Sequence, residues 1–183
     1  MIGWRPAHDR RILDALEAID PERLAGEAWR VTRKGRDPLR GSAADGRWSP
    51  GGGEFEVLYT SLERDGALAE IGYRLSLEPV WPSRIEHELH LIAIETQRTL
   101  KFANLEDLAP LGVEIGRYHT FEYQATQAIA AAGYFLEFDS LIVPSARFDC
   151  ANLVIFTERV PDLTLKHSEA IDWEGWRRRR ARR

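Results

Sequence analysis

The order of strand-like and helix-like segments most constrains how this chain can fold. β-prone segments occur at 28–32, 56–60, 88–95, 140–143 and 152–157, and helical periodicity interrupts them only in places. A doubly wound parallel sheet needs strands that alternate one by one with helices, and this order lacks that alternation. The pattern therefore predicts an α+β fold, a single domain with mostly antiparallel sheets and flanking helices.

Three stretches carry the apolar spacing of an amphipathic helix. The first covers 7–19, the second begins at Thr60, and the third runs from Thr120 to Gly133. The Asp-Pro-Glu sequence at 20–22 also predicts a helix start, because aspartate caps helices and proline is tolerated in their first turn.

Length and composition exclude several classes of protein. The chain has 183 residues, 44% of them hydrophobic and 30% charged, which is typical of one folded domain rather than a disordered chain. A single cysteine, Cys150, excludes an internal disulfide framework and a multi-cysteine zinc site, and it favours the reducing cytoplasm. No apolar run approaches the roughly 20 residues that span a bilayer, and residues 1–6 lack the apolar core of a signal peptide.

The basic charge is concentrated at the C-terminal end. Residues 177–183 read RRRRARR, so the rest of the chain is strongly acidic. The simplest interpretation of such a run is a solvated, disordered end. The alternative function is a non-catalytic module that binds nucleic acid or protein through this tail. Trp173 and Trp176 lie just before it and predict that this stretch packs on the body or on a partner.

Residues 33–54 form a long glycine- and arginine-rich segment without periodicity. A loop of this length is uncommon inside a compact domain and is more often functional than idle. Arginine offers a planar fork to phosphate oxygens, and glycine lets backbone amides approach an anion. The segment, which contains Arg47 and Trp48, could wrap a phosphorylated ligand or could be a flexible surface loop.

Several motifs of common enzymes are absent. The chain lacks GxGxxG after a strand, GxxxxGK[ST], HExxH and GxSxG. His87 and His90 are closely spaced, but residues three apart on a strand point to opposite faces. We therefore predict solvent-facing strand histidines and no metal site.

Two polar residues remain as candidates for chemistry. Glu70 lies on the second predicted helix, where a glutamate is ordinarily solvated. Ser145 ends an apolar strand, where a serine can cap a following turn. It could equally orient a hydroxyl or a phosphate of a substrate.

The order of these features resembles the RES domain family, which is named for its arginine, glutamate and serine. Arg30 comes first, followed by GRWSPGG at 46–52, VLYT at 57–60, Glu70, and IVPSA at 142–146. The resemblance covers roughly residues 28–160, with 1–27 as an N-terminal helical extension and 161–183 as a C-terminal segment. An insertion before the GRW motif departs from the short loop of the family.

The resemblance implies a fold similar to ADP-ribosyltransferase toxins and NAD+ as the substrate, with no metal. Arg30, Glu70 and Ser145 correspond to the catalytic residues of the family. Arg30, Arg47, Tyr59 and Ser145 would bind NAD+. Glu70 would stabilise the positive charge that develops on the ribose as the nicotinamide–ribose bond breaks.

The resemblance also implies partners. Toxins of the family pair with a cognate antitoxin, usually of the helix-turn-helix type, that covers the active site, so contact with DNA is indirect. The ADP-ribose acceptor stays open between a protein side chain, inorganic phosphate and water. A degenerate, non-catalytic family member is disfavoured because the arginine, glutamate and serine are all present.

Overall fold

The structure is a computed structural model that describes residues 8–181. Residues 1–7 and 182–183, which include the start of the first predicted helix and the last two arginines, lie outside the described residues. The helices are α1 (Arg10–Glu17), α2 (Arg64–Ser76), α3 (Gln124–Phe135) and α4 (Trp173–Arg180). The strands are β1 (Glu22–Arg33), β2 (Val57–Ser61), β3 (His87–Lys101), β4 (Ser140–Pro144), β5 (Ala151–Phe156) and β6 (Thr164–Ala170).

The strands form one sheet that curls back on itself. The order is β1-β2-β5-β4-β3-β6, and an additional pairing of β1 with β3 closes a ring of five strands. β3 makes this possible because one of its edges pairs with β1, while the other pairs first with β6 and then with β4. Only β3 and β4 run parallel among the described strands. The predicted α+β fold with mostly antiparallel strands is confirmed.

The first strand is longer than its local sequence predicts. β1 begins at Glu22, so the helix start predicted at 20–22 is wrong. Backbone pairing with β3 extends from Glu22 opposite Thr99 to Arg33 opposite His87. This long-range ladder satisfies the backbone groups that a helix cap would otherwise satisfy, and so it overrides the local preference.

Apolar packing occurs on both faces of the β4–β5 pair. Leu153 and Ile155 face the interior of the ring, whereas Val154 and Phe156 face the layer formed by α1 and α3. A strand buried on both faces has a continuous apolar run rather than an alternating one, as the β5 sequence does. A separate cluster joins α2 to α4 through Leu68 and Trp173.

The predicted solvent-facing histidines are buried, so that prediction is wrong. His87 and His90 are 6% and 2% exposed, because Trp173 of α4 packs against His87 and side chains of β1 and β6 flank His90. The His87 Nδ1 atom accepts a hydrogen bond from Trp173 Nε1 at 3.1 Å. The His90 ring lies between the hydroxyls of Thr32 and Ser168.

Burial of these histidines makes stability depend on pH. Burial lowers the pKa of His87 and of His90 below the ordinary histidine value. The unfolded chain therefore binds more protons at mildly acidic pH than the folded chain does. Their contribution to stability is complete above about pH 6.5 and is lost as the pH falls through the lowered pKa values of the folded state.

We expect the free energy of unfolding, measured with urea, to fall between neutral pH and about pH 5. His87→Gln should flatten this fall, because glutamine can accept the Trp173 hydrogen bond without titrating. His119→Gln, at an exposed position in the loop after β3, is the matched control for the loss of one imidazole. If the free energy of unfolding depended on pH in the same way in His87→Gln and in the unmodified protein, this account would be contradicted.

The basic C-terminal run is helical as far as the structure describes it. Arg177 to Arg180 belong to α4, so the prediction of a disordered end is wrong for these four residues. Asp172 caps the helix by accepting from the Gly175 backbone amide at 2.9 Å. Trp173 is 8% exposed, which anchors the helix on the body as the tryptophans predicted.

Between residues 8 and 181, no helix has the length and apolar composition that crossing a membrane requires.

Candidate active site

A cleft of about 290 Å³ lies where β1, β2, α2 and the arginine-rich loop meet. Arg30, Arg47, Tyr59 and Glu70 all line it. Ser145, the fifth predicted residue, donates a hydrogen bond from Oγ to Glu70 Oε1 at 2.7 Å. The fold thus brings together residues that span more than 100 positions of the sequence.

The Glu70 carboxylate is held from two sides. α2 follows β2 after a short turn and carries Glu70 over the start of β5, where Asn152 pairs with Ser61 of β2. Asn152 Nδ2 donates to the same Glu70 Oε1 atom at 3.0 Å. In the described part of the chain, Glu70 Oε2 accepts no hydrogen bond, so it is available to a ligand.

Arg47 is fixed by the loop that follows β3. Its guanidinium donates to the backbone carbonyls of Tyr118 and Thr120. The same group stacks over the rings of Tyr118 and Tyr123, at 4.6 and 4.9 Å from their centroids. The positive charge of Arg47 therefore lies at the cleft on a side chain with little remaining rotamer freedom.

The arginine-rich loop is anchored around this arginine, so the interpretation as a flexible surface loop is wrong for its GRW portion. Trp48 is 2% exposed and packs in the core beside α1 and α3. Gln127 of α3 donates to the backbone carbonyls of Gly46 and Ser49 at 2.9 and 3.1 Å. Packing and hydrogen bonds hold this part of the loop in one place.

Tyr59 joins the loop to β2. Its hydroxyl accepts a hydrogen bond from the Trp48 backbone amide at 3.0 Å, and a Cβ at Gly46 would crowd that hydroxyl. Burial raises the pKa of Tyr59 to about 12, so the hydroxyl stays protonated at neutral pH. The side chain is still 37% exposed, which leaves part of the ring open to the cleft.

Arg30 is held at the back of the cleft by main-chain carbonyls. Its guanidinium donates to Tyr59 O at 3.3 Å and to Arg40 O at 3.2 Å. Burial lowers its pKa to about 10, which still leaves it charged at neutral pH.

Two buried polar atoms at the cleft have no hydrogen-bond partner among residues 8–181. They are Arg30 Nε and Asn152 Oδ1, one donor and one acceptor. Buried polar groups are nearly always paired, so an unpaired donor and acceptor beside one cavity indicate a polar ligand.

Sequence reasoning did not assign a role to several residues of this cleft. Asn152 of β5 is one of them, and Arg147, two residues after Ser145 in the β4–β5 turn, is another. The Arg147 guanidinium stacks at 3.6 Å from the centroid of the Tyr73 ring. In the sequence, the one local signal of a functional role for this turn is the run IVPSA at 142–146, which is followed by an arginine. The remaining unassigned cleft residues with aromatic or basic side chains are Trp29, Arg74, Phe121 and Tyr123.

The cleft favours an anionic ligand although the chain as a whole is acidic. Its charged residues are four arginines and two carboxylates, namely Arg30, Arg47, Arg74, Arg147, Asp45 and Glu70. The aromatic side chains beside them provide faces on which planar rings can stack. This combination suits a phosphate-bearing molecule with an aromatic ring.

A family model described as the RES domain matches residues 27–177. A Mycobacterium tuberculosis protein named probable NAD(+) phosphorylase is 29% identical over 164 residues, which cover 87% of this chain and 78% of that protein.

Among solved structures, the crystal structure of the Mycobacterium tuberculosis MbcT–MbcA toxin–antitoxin complex contains a chain of similar fold. The TM-score is 0.83 at 21% identity, and the match covers 96% of this chain and 100% of that chain. A likeness at this level of identity establishes a shared fold.

Proposed function

Because the chain belongs to the RES domain family, as its motifs predicted, we propose that it is an NAD+-consuming toxin of a bacterial toxin–antitoxin module. It breaks the nicotinamide–ribose bond and transfers ADP-ribose to inorganic phosphate. The observation that carries the proposal is the Glu70 carboxylate, held by Ser145 and Asn152 at an arginine-lined cleft. The name of the relative, probable NAD(+) phosphorylase, favours phosphate over the other acceptors.

Glu70 acts on the ribose. The breaking bond leaves positive charge on the anomeric carbon and the ring oxygen, and a fixed carboxylate stabilises that charge. Glu70 Oε1 is occupied by Ser145 and Asn152, so Oε2 binds a ribose hydroxyl. Ser145 is a positioning residue for this carboxylate and not a nucleophile, since no described histidine contacts it.

Arg30 and Arg47 bind the pyrophosphate of NAD+. Both guanidinium groups are already oriented by backbone carbonyls, which lowers the entropy cost of fixing the substrate. The partly exposed ring of Tyr59 stacks on the nicotinamide.

Inorganic phosphate is a suitable acceptor of ADP-ribose at a site that contains these residues. Hydrogenphosphate already carries anionic oxygens and attacks without losing a proton, whereas water needs a general base. The new bond joins a phosphate oxygen to the anomeric carbon. The electrons of the broken bond leave with nicotinamide and neutralise its ring, and the phosphate keeps its own proton.

The cognate antitoxin, usually of the helix-turn-helix type, covers the cleft and keeps the enzyme inactive. The likeness in fold to a toxin of a toxin–antitoxin complex supports this proposal. Contact with DNA is then made by the antitoxin. We place the activity in the cytoplasm, where NAD+ is available and a lone cysteine stays reduced.

The test is to follow adenylate-labelled NAD+ with the purified protein, with and without phosphate, and in the presence of a cell lysate. We expect equal amounts of nicotinamide and ADP-ribose phosphorylated at the anomeric carbon, formed only with phosphate. Free ADP-ribose would make water the acceptor, and a labelled protein band would make a protein the acceptor. No release of nicotinamide under any condition would disprove the proposal.

A further inference from the structure

A second cavity of about 270 Å³ lies between α2 and α4, beside the cleft. We refer to it as the α2–α4 cavity. Its walls include Gly72 and Tyr73 of α2, Trp81 of the α2–β3 loop, and Trp176 of α4. Packing defines this space, since a Cβ at Gly72 would overlap the Trp176 ring.

The charged residues that line the α2–α4 cavity are all arginines. They are Arg147, Arg177 and Arg180, and no carboxylate of residues 8–181 lines the cavity with them. Their guanidinium groups lie over aromatic rings: Arg147 over Tyr73 at 3.6 Å, Arg177 over Trp81 at 4.4 Å, and Arg180 over Trp176 at 5.3 Å.

None of these three arginines forms a salt bridge within residues 8–181. Other arginines of the same region do, as Arg178 does with Glu174 at 3.7 Å and Arg64 with Glu169 at 2.6 Å. Stacking on an aromatic face leaves the in-plane N–H groups free to donate. Three guanidinium groups that line one cavity and keep donors free can bind a small, multiply charged anion.

The α2–α4 cavity adjoins the cleft through a thin wall. Tyr73 and Arg147 line both cavities, so this stacked pair is the wall between them. The Arg147 backbone amide donates to Ser145 Oγ at 3.2 Å, and that hydroxyl donates to Glu70 at 2.7 Å. Two hydrogen bonds through Ser145 therefore tie the Arg147 backbone, and with it the position of this arginine, to the Glu70 carboxylate.

We propose that the α2–α4 cavity binds the inorganic phosphate that accepts ADP-ribose, and that Arg147 presents this phosphate to the ribose in the cleft. The inference rests on the proposed function, because it names the route of the second substrate. A second cavity also explains how an anion reaches a cleft in which the dianionic pyrophosphate of NAD+ is already bound. Arg177 and Arg180 raise the local concentration of phosphate, and the phosphate oxygen then bonds to the anomeric carbon as nicotinamide leaves.

The decisive experiment is steady-state kinetics of the full chain, with phosphate varied at constant ionic strength. The Arg177→Gln/Arg180→Gln double variant should raise the KM for phosphate by about tenfold or more, since two charge-assisted contacts are lost. The KM for NAD+, and kcat at saturating phosphate, should stay near their original values. Arg178→Gln, on the same helix but paired with Glu174, is the matched control and should change none of these constants.

A second measurement does not depend on activity. Phosphate alone, without NAD+, should raise the melting temperature of the unmodified protein and of Arg178→Gln, and the double variant should lose most of this shift. A folded double variant with an unchanged KM for phosphate and an unchanged phosphate-induced shift would overturn the inference. Loss of binding to a DNA oligonucleotide, with the phosphate constants unchanged, would overturn it too.

The two proposals fail in different ways. If the unmodified protein releases no nicotinamide with phosphate, the proposed function is wrong, and the melting experiment alone then decides whether the cavity binds phosphate. If phosphorolysis occurs but responds equally to Arg178→Gln and to the double variant, only the route through the α2–α4 cavity is wrong.

Discussion

Glu70→Gln is expected to lower kcat for NAD+ phosphorolysis by about 10³-fold, because the neutral amide cannot stabilise the positive charge on the ribose. The fold should persist, since a glutamine oxygen can still accept the hydrogen bonds from Ser145 and Asn152. Nicotinamide release by the purified variant is the measurement. Thermal unfolding of the same sample shows whether it is folded.

Glu63→Gln is the matched control for this change. It makes the same substitution at the N-terminus of the same helix, and the Glu63 side chain makes no capping hydrogen bond there. Activity should stay within about twofold of the original, as is usual for an exposed position away from the site. Full activity of a folded Glu70→Gln protein would remove Glu70 from the mechanism and with it the main support for the proposed function.

Arg47→Ala is expected to affect both activity and stability. It removes a charge from the proposed pyrophosphate site, and we expect kcat/KM to fall by about 10²-fold. It also leaves the carbonyls of Tyr118 and Thr120 without their donor and removes two cation–π contacts. The free energy of unfolding should fall by about 3 kcal/mol.

The two effects of Arg47→Ala are separated by assaying activity well below the melting temperature and measuring stability with urea. Arg47→Lys should keep part of the activity, because it retains the charge, but it cannot reach both carbonyls in the planar geometry of arginine. Arg36→Ala, at an exposed position of the same loop, is the control and should change neither quantity. A stable Arg47→Ala protein with unchanged kcat/KM would contradict both assigned roles.

Arg47 also shows why the structure of the arginine-rich loop could be predicted only in part from the sequence. Its composition indicated a phosphate-binding segment, but a flexible loop was equally compatible with it. The loop has one fixed conformation around Arg47 because Gln127 and Trp48 anchor it to α3 and to the core. Such contacts join residues about 80 positions apart and leave no periodic signal in the sequence.

The histidines of β3 show that burial, too, could not be predicted from the local sequence pattern. Alternation along the strand placed His87 and His90 on opposite faces, which argued against a shared metal site and led to the prediction of solvent-facing histidines. In the structure, β1 and β6 cover both edges, and hydroxyl and indole partners satisfy the rings. Polar side chains are buried when partners arrive from other elements, which a local pattern does not reveal.

The amino-acid sequence by itself determined the α+β class, most strand positions, and the motifs that place the chain in its family. These features follow from local propensity and from short patterns of residue types, which act over a few positions. The tertiary structure alone decided that Glu70 is held by Ser145 and Asn152. It also decided that the arginines of α4 converge with Arg147 on one cavity, because closure of the sheet through β1 and β3 brings distant segments together.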